Sequence, residues 1–367
     1  VDGITEKTGE SVETNYLTYD NGTLIVIGTV EITCDSAGLS FYNGTLTLAG
    51  NGDLTIAASG SNSAVSGSPQ STLTTAEGFS GSITLGSVNA SAVQNVVLDL
   101  TTGGDILISS AKNSAVNTPQ NPVMLAGKTV TIKGTDETTE ASPANVSTVT
   151  APKLNVTAGD GVTITGSGAI PLIADDNGGE CAVTLNAGGD VEIVNKGGMA
   201  VYGPLTVESA HNVTIGGGGE SLLYSANGVH CINASGTVKM ESSGIVCSGN
   251  DANGLTITGA ETVDIAGEST SAPVVTGMTL NECGTATVTR LQYADTMAPI
   301  AYTVTSDIPV LLRNGSNDIE PQLLWDGEYY QKAAVDDVYM EPSSEAAVYY
   351  EAGDGYVMFS KTSDGTK

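Results

Sequence analysis

A five-residue unit recurs along this chain and limits what the chain can fold into. It is a turn residue, often Gly, then a small or polar residue, then two apolar residues flanking one that is usually polar. The copies are Gly28-Thr-Val30-Glu-Ile32, Gly52-Asp-Leu54-Thr-Ile56, Gly81-Ser-Ile83-Thr-Leu85, Gly104-Asp-Ile106-Leu-Ile108, Lys128-Thr-Val130-Thr-Ile132, Asp160-Gly-Val162-Thr-Ile164, Gly189-Asp-Val191-Glu-Ile193, His211-Asn-Val213-Thr-Ile215, Gly236-Thr-Val238-Lys-Met240, Glu261-Thr-Val263-Asp-Ile265 and Gly284-Thr-Ala286-Thr-Val288. Their first apolar residues are separated by 24, 29, 23, 24, 32, 29, 22, 25, 25 and 23 positions. Self-similarity at that period marks an array of stacked units rather than a string of globular domains.

Each unit carries two more apolar signals. About eight residues upstream lies a pair such as Leu46/Leu48, Leu98/Leu100, Leu154/Val156, Val183/Leu185, Leu205/Val207 or Leu255/Ile257. About eight residues downstream lies a third position: Val65, Val93, Val116, Leu172, Val201, Leu223, Cys247 or Val274. Alternation puts every second side chain of a strand on one face. Three short strands per unit, joined by tight turns, therefore make one coil of a three-sided solenoid. A lone coil cannot bury its inner face, but stacking at ~4.8 Å pairs each strand with its copy above and below. The connection between paired strands is a full coil, and such parallel crossovers are right-handed. No stretch carries sustained helical periodicity. The expected fold is an all-β, right-handed, three-sided parallel β-helix of about eleven coils. Its expected limits are a lead-in at 1–20, the helix at 21–296 and a C-terminal module at 297–367.

That last segment differs in composition. Eight of the 13 Tyr residues lie from Tyr293 onward, together with Trp325, the one Trp of the chain. Gln322 to Trp325 leads through Asp326-Gly327 to Tyr329 and Tyr330, and Val348 to Tyr350 leads through Gly353-Asp354-Gly355 to Tyr356. Asp-Gly between β-prone runs signals a hairpin. The segment is expected to form a small antiparallel cap or module covering an open sheet edge. Trp325, Tyr329, Tyr330, Tyr349 and Tyr350 are a candidate sugar-stacking platform, against the alternative that they form the module's own core.

The chain has 41 acidic and 12 basic side chains, a net charge of −29. Such a field disfavours nucleic acid and anionic surfaces as partners. Five cysteines, Cys34, Cys181, Cys231, Cys247 and Cys283, match no zinc or redox spacing, and the odd number leaves at least one outside any internal disulfide. They are expected as small buried residues, with a bridge within 231–283 as the alternative. No apolar run is long enough to span a membrane as a helix. The chain begins at Val1 without Met, compatible with a mature secreted protein whose signal and anchor lie outside residues 1–367.

Catalysis finds little support. Carboxylate-based glycoside hydrolysis needs two acids converging on one face. The turn column before the repeated strand reads Thr29, Asp53, Ser82, Asp105, Thr129, Gly161, Asp190, Asn212, Thr237, Thr262, Thr285, with no two acids adjacent. That pattern fits turn chemistry and avoidance of stacked like charge. Lyase chemistry wants cationic residues, and only Arg290 and Arg313 are arginines. His211 and His230 read as structural or surface residues. The run Gly216 to Gly219 lacks the Lys and helix of a phosphate loop. Loops with Asp175, Asp176 and Asp251 offer oxygen ligands, so Ca²⁺ is the one cofactor to be considered, against solvated turns.

The Gly-Asp-Val-Glu-Ile and Asn-Val-Thr-Ile units, over roughly residues 20 to 296, resemble secreted bacterial right-handed parallel β-helix proteins of the adhesin-like or carbohydrate-binding kind. The resemblance implies an extracellular, cell-surface, non-enzymatic protein binding a glycan or a matrix or host surface protein, and the chain is expected to be a monomer. A stalk displaying another domain is the first alternative. A polysaccharide lyase or glycoside hydrolase is the second, and the Gly-His-Gly motif of polygalacturonase-like enzymes is absent.

Overall fold

The computed structural model describes residues 16–20, 22–35, 38–135, 146–175, 179–249, 254–292, 301–306, 308, 310–314, 322–325, 330–332, 347–351 and 356–360. For 16–20, 249, 301–303, 311–314 and everything from 322 onward the description covers the backbone alone. Residues Val1–Gly197 and Gly198–Lys367 form two compact units. No helix occurs among the described residues. The protein is a right-handed parallel β-solenoid with additional antiparallel strands.

In the first unit the repeated element forms a sheet of seven parallel strands: Thr29–Cys34, Asp53–Ala58, Ile83–Ser87, Ile106–Ser110, the second halves of Val123–Lys133 and Lys153–Gly166, and Val191–Asn195. Their register joins the two apolar residues of every copy into continuous inward ladders. One runs Val30, Leu54, Ile83, Ile106, Val130, Val162, Val191, and the other Ile32, Ile56, Leu85, Ile108, Ile132, Ile164, Ile193. All of these side chains are buried. At ~25 cal/mol per Å², a fully buried aliphatic side chain contributes roughly 1.5–3 kcal/mol, so the ladders carry much of the unit's stability.

The upstream pairs make a second sheet, with Leu46, Leu73, Leu98, Val123, Leu154 and Val183 in one inward ladder. The third column consists of two-residue strands at a corner, stacking Leu39, Val65, Val93, Val116, Val149 and Ile173. The ladder residue of the last coil is thus Ile173 rather than Leu172, and in the second unit Val275 rather than Val274. All four side chains are buried. The chain bends at this corner, so two consecutive residues face inward and strict alternation no longer selects between them.

The glycine that opens many copies has a packing reason. Gly28, Gly52 and Gly81 stack from coil to coil, and a Cβ on Gly81 would overlap Gly52 O just as one on Gly52 would overlap Gly28 O. The polar residue after it joins neighbouring coils. Asp53 Oδ1 accepts from Ser82 N at 2.7 Å, and Asp105 Oδ1 accepts from Thr129 N at 3.2 Å and from its hydroxyl at 2.7 Å. The first described strands of the unit form an antiparallel pair, Tyr16–Asp20 against Thr23–Ile27.

In the second unit the repeated strands are Val213–Gly217, Thr237–Ser242, Thr262–Gly267, Thr285–Arg290 and Val310–Asn314. Their ladder Val213, Val238, Val263, Ala286, Val310 includes a copy that the sequence pattern does not reveal, because Ile308-Pro309 stands before Val310 where the other copies carry glycine or polar residues. Parallel pairing thus continues past residue 296 to Asn314. Antiparallel pairing then begins: Gln322–Trp325 lies between Val310–Asn314 and Tyr330–Lys332. A separate hairpin joins Ala347–Glu351 to Tyr356–Ser360. Both expected hairpins are present.

Candidate binding groove

Beyond its second ladder residue, each repeated strand of the first unit runs about two residues further and then turns the corner. The inward position there is small or polar: Ala58, Ser87, Ser110, Gly166, Asn195. These side chains brace the turn of the preceding coil. Ser87 Oγ donates to Asn62 O at 3.0 Å, Ser110 Oγ donates to Ala90 O at 2.8 Å, and Asn195 Nδ2 donates to Ile170 O at 2.9 Å. The outward neighbours stack as Ala57, Gly86, Ser109, Lys133 and Thr165.

With so little side-chain volume on either side of the backbone, the corner becomes an open groove of about 610 Å³. It crosses six coils, from Ala57 to Lys196, which at ~4.8 Å per coil is about 24 Å. Val88, 41% exposed and one of two large hydrophobic side chains so exposed among the described residues, lines it. Hydroxyls come from Ser109, Thr165 and Ser167, and the ionisable side chains among its described lining residues are Lys133 and Lys196, both exposed. The acids of the turn column stand before the strands, away from this corner, and Asp53 and Asp105 are engaged with backbone amides.

In the second unit the same corner position is Ser242, Gly267 and then Arg290, whose side chain is fully buried. Arg290 Nε donates to Ser269 O at 2.8 Å and Nη2 to Ala272 O at 3.2 Å, and burial lowers its pKa. It therefore holds the turn of the preceding coil, as Ser110 does with a smaller reach. His211 Nδ1 lies 3.2 Å from Ser235 Oγ at the surface. His230 is buried and pairs in register with Leu255 of the apolar ladder. Both histidines thus occupy structural positions.

All five cysteines are free, so no bridge forms within 231–283. Cys181, Cys247 and Cys283 are buried, while Cys34 and Cys231 are half-buried. Burial pushes the Cys247 thiol up to about 12, and burial together with the Asp175 carboxylate does the same for Cys181.

Of the aromatic platform, the backbone register makes Trp325 the cross-strand partner of Tyr330, whereas Tyr349 and Tyr350 pair with Met358 and Val357 in the other hairpin. Their side chains, and all of Tyr329, lie outside the described residues, as do Asp176 and Asp251 of the calcium loops. Asp175 is half-buried, and its amide donates to Gly179 O at 3.3 Å. Among the described residues no group of three or more His, Cys, Asp or Glu side chains is placed to hold a metal ion.

Two features escaped sequence reasoning. One is the groove, whose signal is the recurrence of Ala, Ser or Gly two positions after the second ladder residue. The other is an outward stack of Tyr202 on Tyr224, with ring centroids 5.3 Å apart and planes at 19°. Their spacing of one coil places them together only when the register is known.

No family model matches the chain, and no curated protein or solved structure is detectably similar to it. Among the described residues no helix is long and apolar enough to cross a membrane.

Proposed function

We propose that this protein is a non-catalytic recognition module of a bacterial cell surface, used in adhesion or in binding glycans or matrix proteins, and that the corner groove of the first unit is where it holds its ligand. The groove carries this reading. It is long, open and preformed on a rigid sheet, and its described lining residues present hydroxyls, small apolar groups and two lysines, with no carboxylate pair among them for acid and base work. Long grooves of this kind suit an extended polymer rather than a compact metabolite.

The test is an array of glycans and matrix proteins probed with the full chain and with Gly86→Tyr. A Cβ at Gly86 meets nothing closer than Ser109 Oγ at 3.7 Å, so a side chain there fills the groove without disturbing the coil. Binding by the parent and its loss in Gly86→Tyr support the reading. Binding that the variant retains moves recognition elsewhere, with the aromatic hairpins next in line. Silence of both favours a stalk, and release of unsaturated or reducing ends from pectin, alginate or neutral polysaccharides would overturn the non-catalytic reading.

A further inference from the structure

We infer that the second unit carries a saccharide site of its own, formed by the Tyr202–Tyr224 stack and the hydroxyls of Ser248 and Thr276, and that the sugar it takes is neutral. Its assignment does not depend on the groove of the first unit.

The outward positions of the third column of strands in this unit read Tyr202, Tyr224, Ser248 and Thr276, one per coil. The two rings are stacked with centroids 5.3 Å apart, close to the coil spacing of ~4.8 Å, so they lie face to face along the stack. Ser248 occupies the next rung and is too short to add a third ring. The stack therefore ends on a tyrosine face with hydroxyl-bearing side chains beside it. All four residues are half-buried, so their side chains are held yet reach the surface. An aromatic face carries the negative part of the ring quadrupole, and the slightly positive C–H face of a pyranose packs against it.

The hydroxyl protons decide the polarity of the site. A serine or threonine hydroxyl has one proton to give and two lone pairs to offer. Ser221 Oγ donates its proton to Leu223 O at 2.9 Å. In the 2.7 Å contact between Ser221 Oγ and Ser248 Oγ the donor is then Ser248. Thr276 Oγ1 likewise donates to Cys247 O at 3.3 Å. Both hydroxyls have spent their protons on the protein and offer acceptor oxygens to a ligand. A partner that stacks on Tyr224 and reaches them must bring donors at its edge, as the hydroxyls of a sugar do. A carboxylate or sulfate brings acceptors, and the net charge of −29 repels it further.

The experiment records the ring signals of isotope-labelled tyrosine in the full chain by nuclear magnetic resonance, with Tyr202→Phe and Tyr224→Phe to assign them. The probes are neutral β-linked oligosaccharides, the same oligosaccharides fully O-methylated, uronate oligosaccharides and phenol. Neutral oligosaccharides are expected to shift the Tyr202 and Tyr224 signals, and to do so equally in Gly86→Tyr, whose change lies in the first unit. O-methylation removes every hydroxyl donor and is expected to weaken binding about tenfold or more. Uronates are expected to bind less well than neutral probes. Tyr224→Ala loses binding by about tenfold, Ser248→Ala by about threefold or more, and Tyr224→Phe retains it, with thermal unfolding as the folding control. Equal binding of native and O-methylated probes to the parent would overturn the acceptor polarity, whatever the variants do. Uronates that bind as well as neutral sugars would overturn the neutral assignment. A response to phenol without one to any sugar would overturn the saccharide assignment. Tyrosine signals that no probe moves would overturn the site, and loss of their response in Gly86→Tyr would overturn its independence from the groove.

Discussion

The straight sheets and the corners of this solenoid obey different rules. In Ile106–Ser110 burial alternates residue by residue, and Thr237–Ser242 repeats the same pattern. At the corner, Leu172, Ile173 and Ala174 are buried in succession, and so are Val149 and Thr150. A straight strand sends neighbouring side chains to opposite faces, whereas a bent backbone turns neighbours toward the same interior. The straight sheets therefore hold the apolar ladders. The corners decide where space is left, whether filled by Arg290 or open between Ala58, Ser87, Ser110 and Gly166.

This contrast predicts where substitution matters. The largest effect belongs to the straight sheet. Ile108→Asp places a carboxylate in a fully buried ladder and costs more than about 4 kcal/mol, enough to abolish cooperative unfolding of the first unit. Leu107→Asp, one residue away on the outward, half-exposed face, changes urea stability by less than about 1 kcal/mol. Equal effects at both positions would break the alternation.

The corner comes next, and there neighbours behave alike. Leu172→Ala and Ile173→Ala each cost about 2–4 kcal/mol by chemical denaturation, because both side chains are buried. If one were silent, the corner would follow the straight-sheet rule after all. Arg290→Ala belongs to the same class. Loss of its bonds to Ser269 O and Ala272 O costs about 2–4 kcal/mol and appears first as faster hydrogen exchange in the turn around residues 269–272.

The smallest effect is pH-dependent and sharpens the picture of the interior. The Cys181 and Cys247 thiols, raised from 9.0 to about 12, stay protonated in the folded chain where the unfolded chain has already released its protons. Their contribution is fully present below pH 9 and is lost as pH rises toward 12, by up to about 1.4 kcal/mol per pH unit for each thiol. The double variant Cys181→Ala/Cys247→Val should flatten the alkaline arm of the stability curve relative to the parent. Superimposable curves would mean that neither thiol is sequestered in the interior.

The inward ladders were legible because they depend on a period of two within each strand and a recurring motif between coils. Val30 to Ile193 and Val213 to Val288 could be aligned from the chain alone. The shift from Leu172 to Ile173 was not legible, since two adjacent apolar residues satisfy the same pattern. The strand at Val310 was hidden for a related reason: Ile308-Pro309 replaces the glycine or polar pair that opens the other copies, so nothing sets its phase. The groove was the least visible feature. Ala58, Ser87, Ser110 and Gly166 differ in type and are spread over more than 100 residues, so that only their stacking makes them one surface.

By itself the sequence determined the architecture: a parallel stack of coils, its inward ladders and the two C-terminal hairpins. Those are local consequences of alternation, turn chemistry and repeat length. The tertiary structure decided the register of the corners, the burial of Arg290, the stacking of Tyr202 on Tyr224 and the existence of a groove. Each of these depends on how one coil lies upon the next, and a residue's own neighbours in the chain do not carry that information.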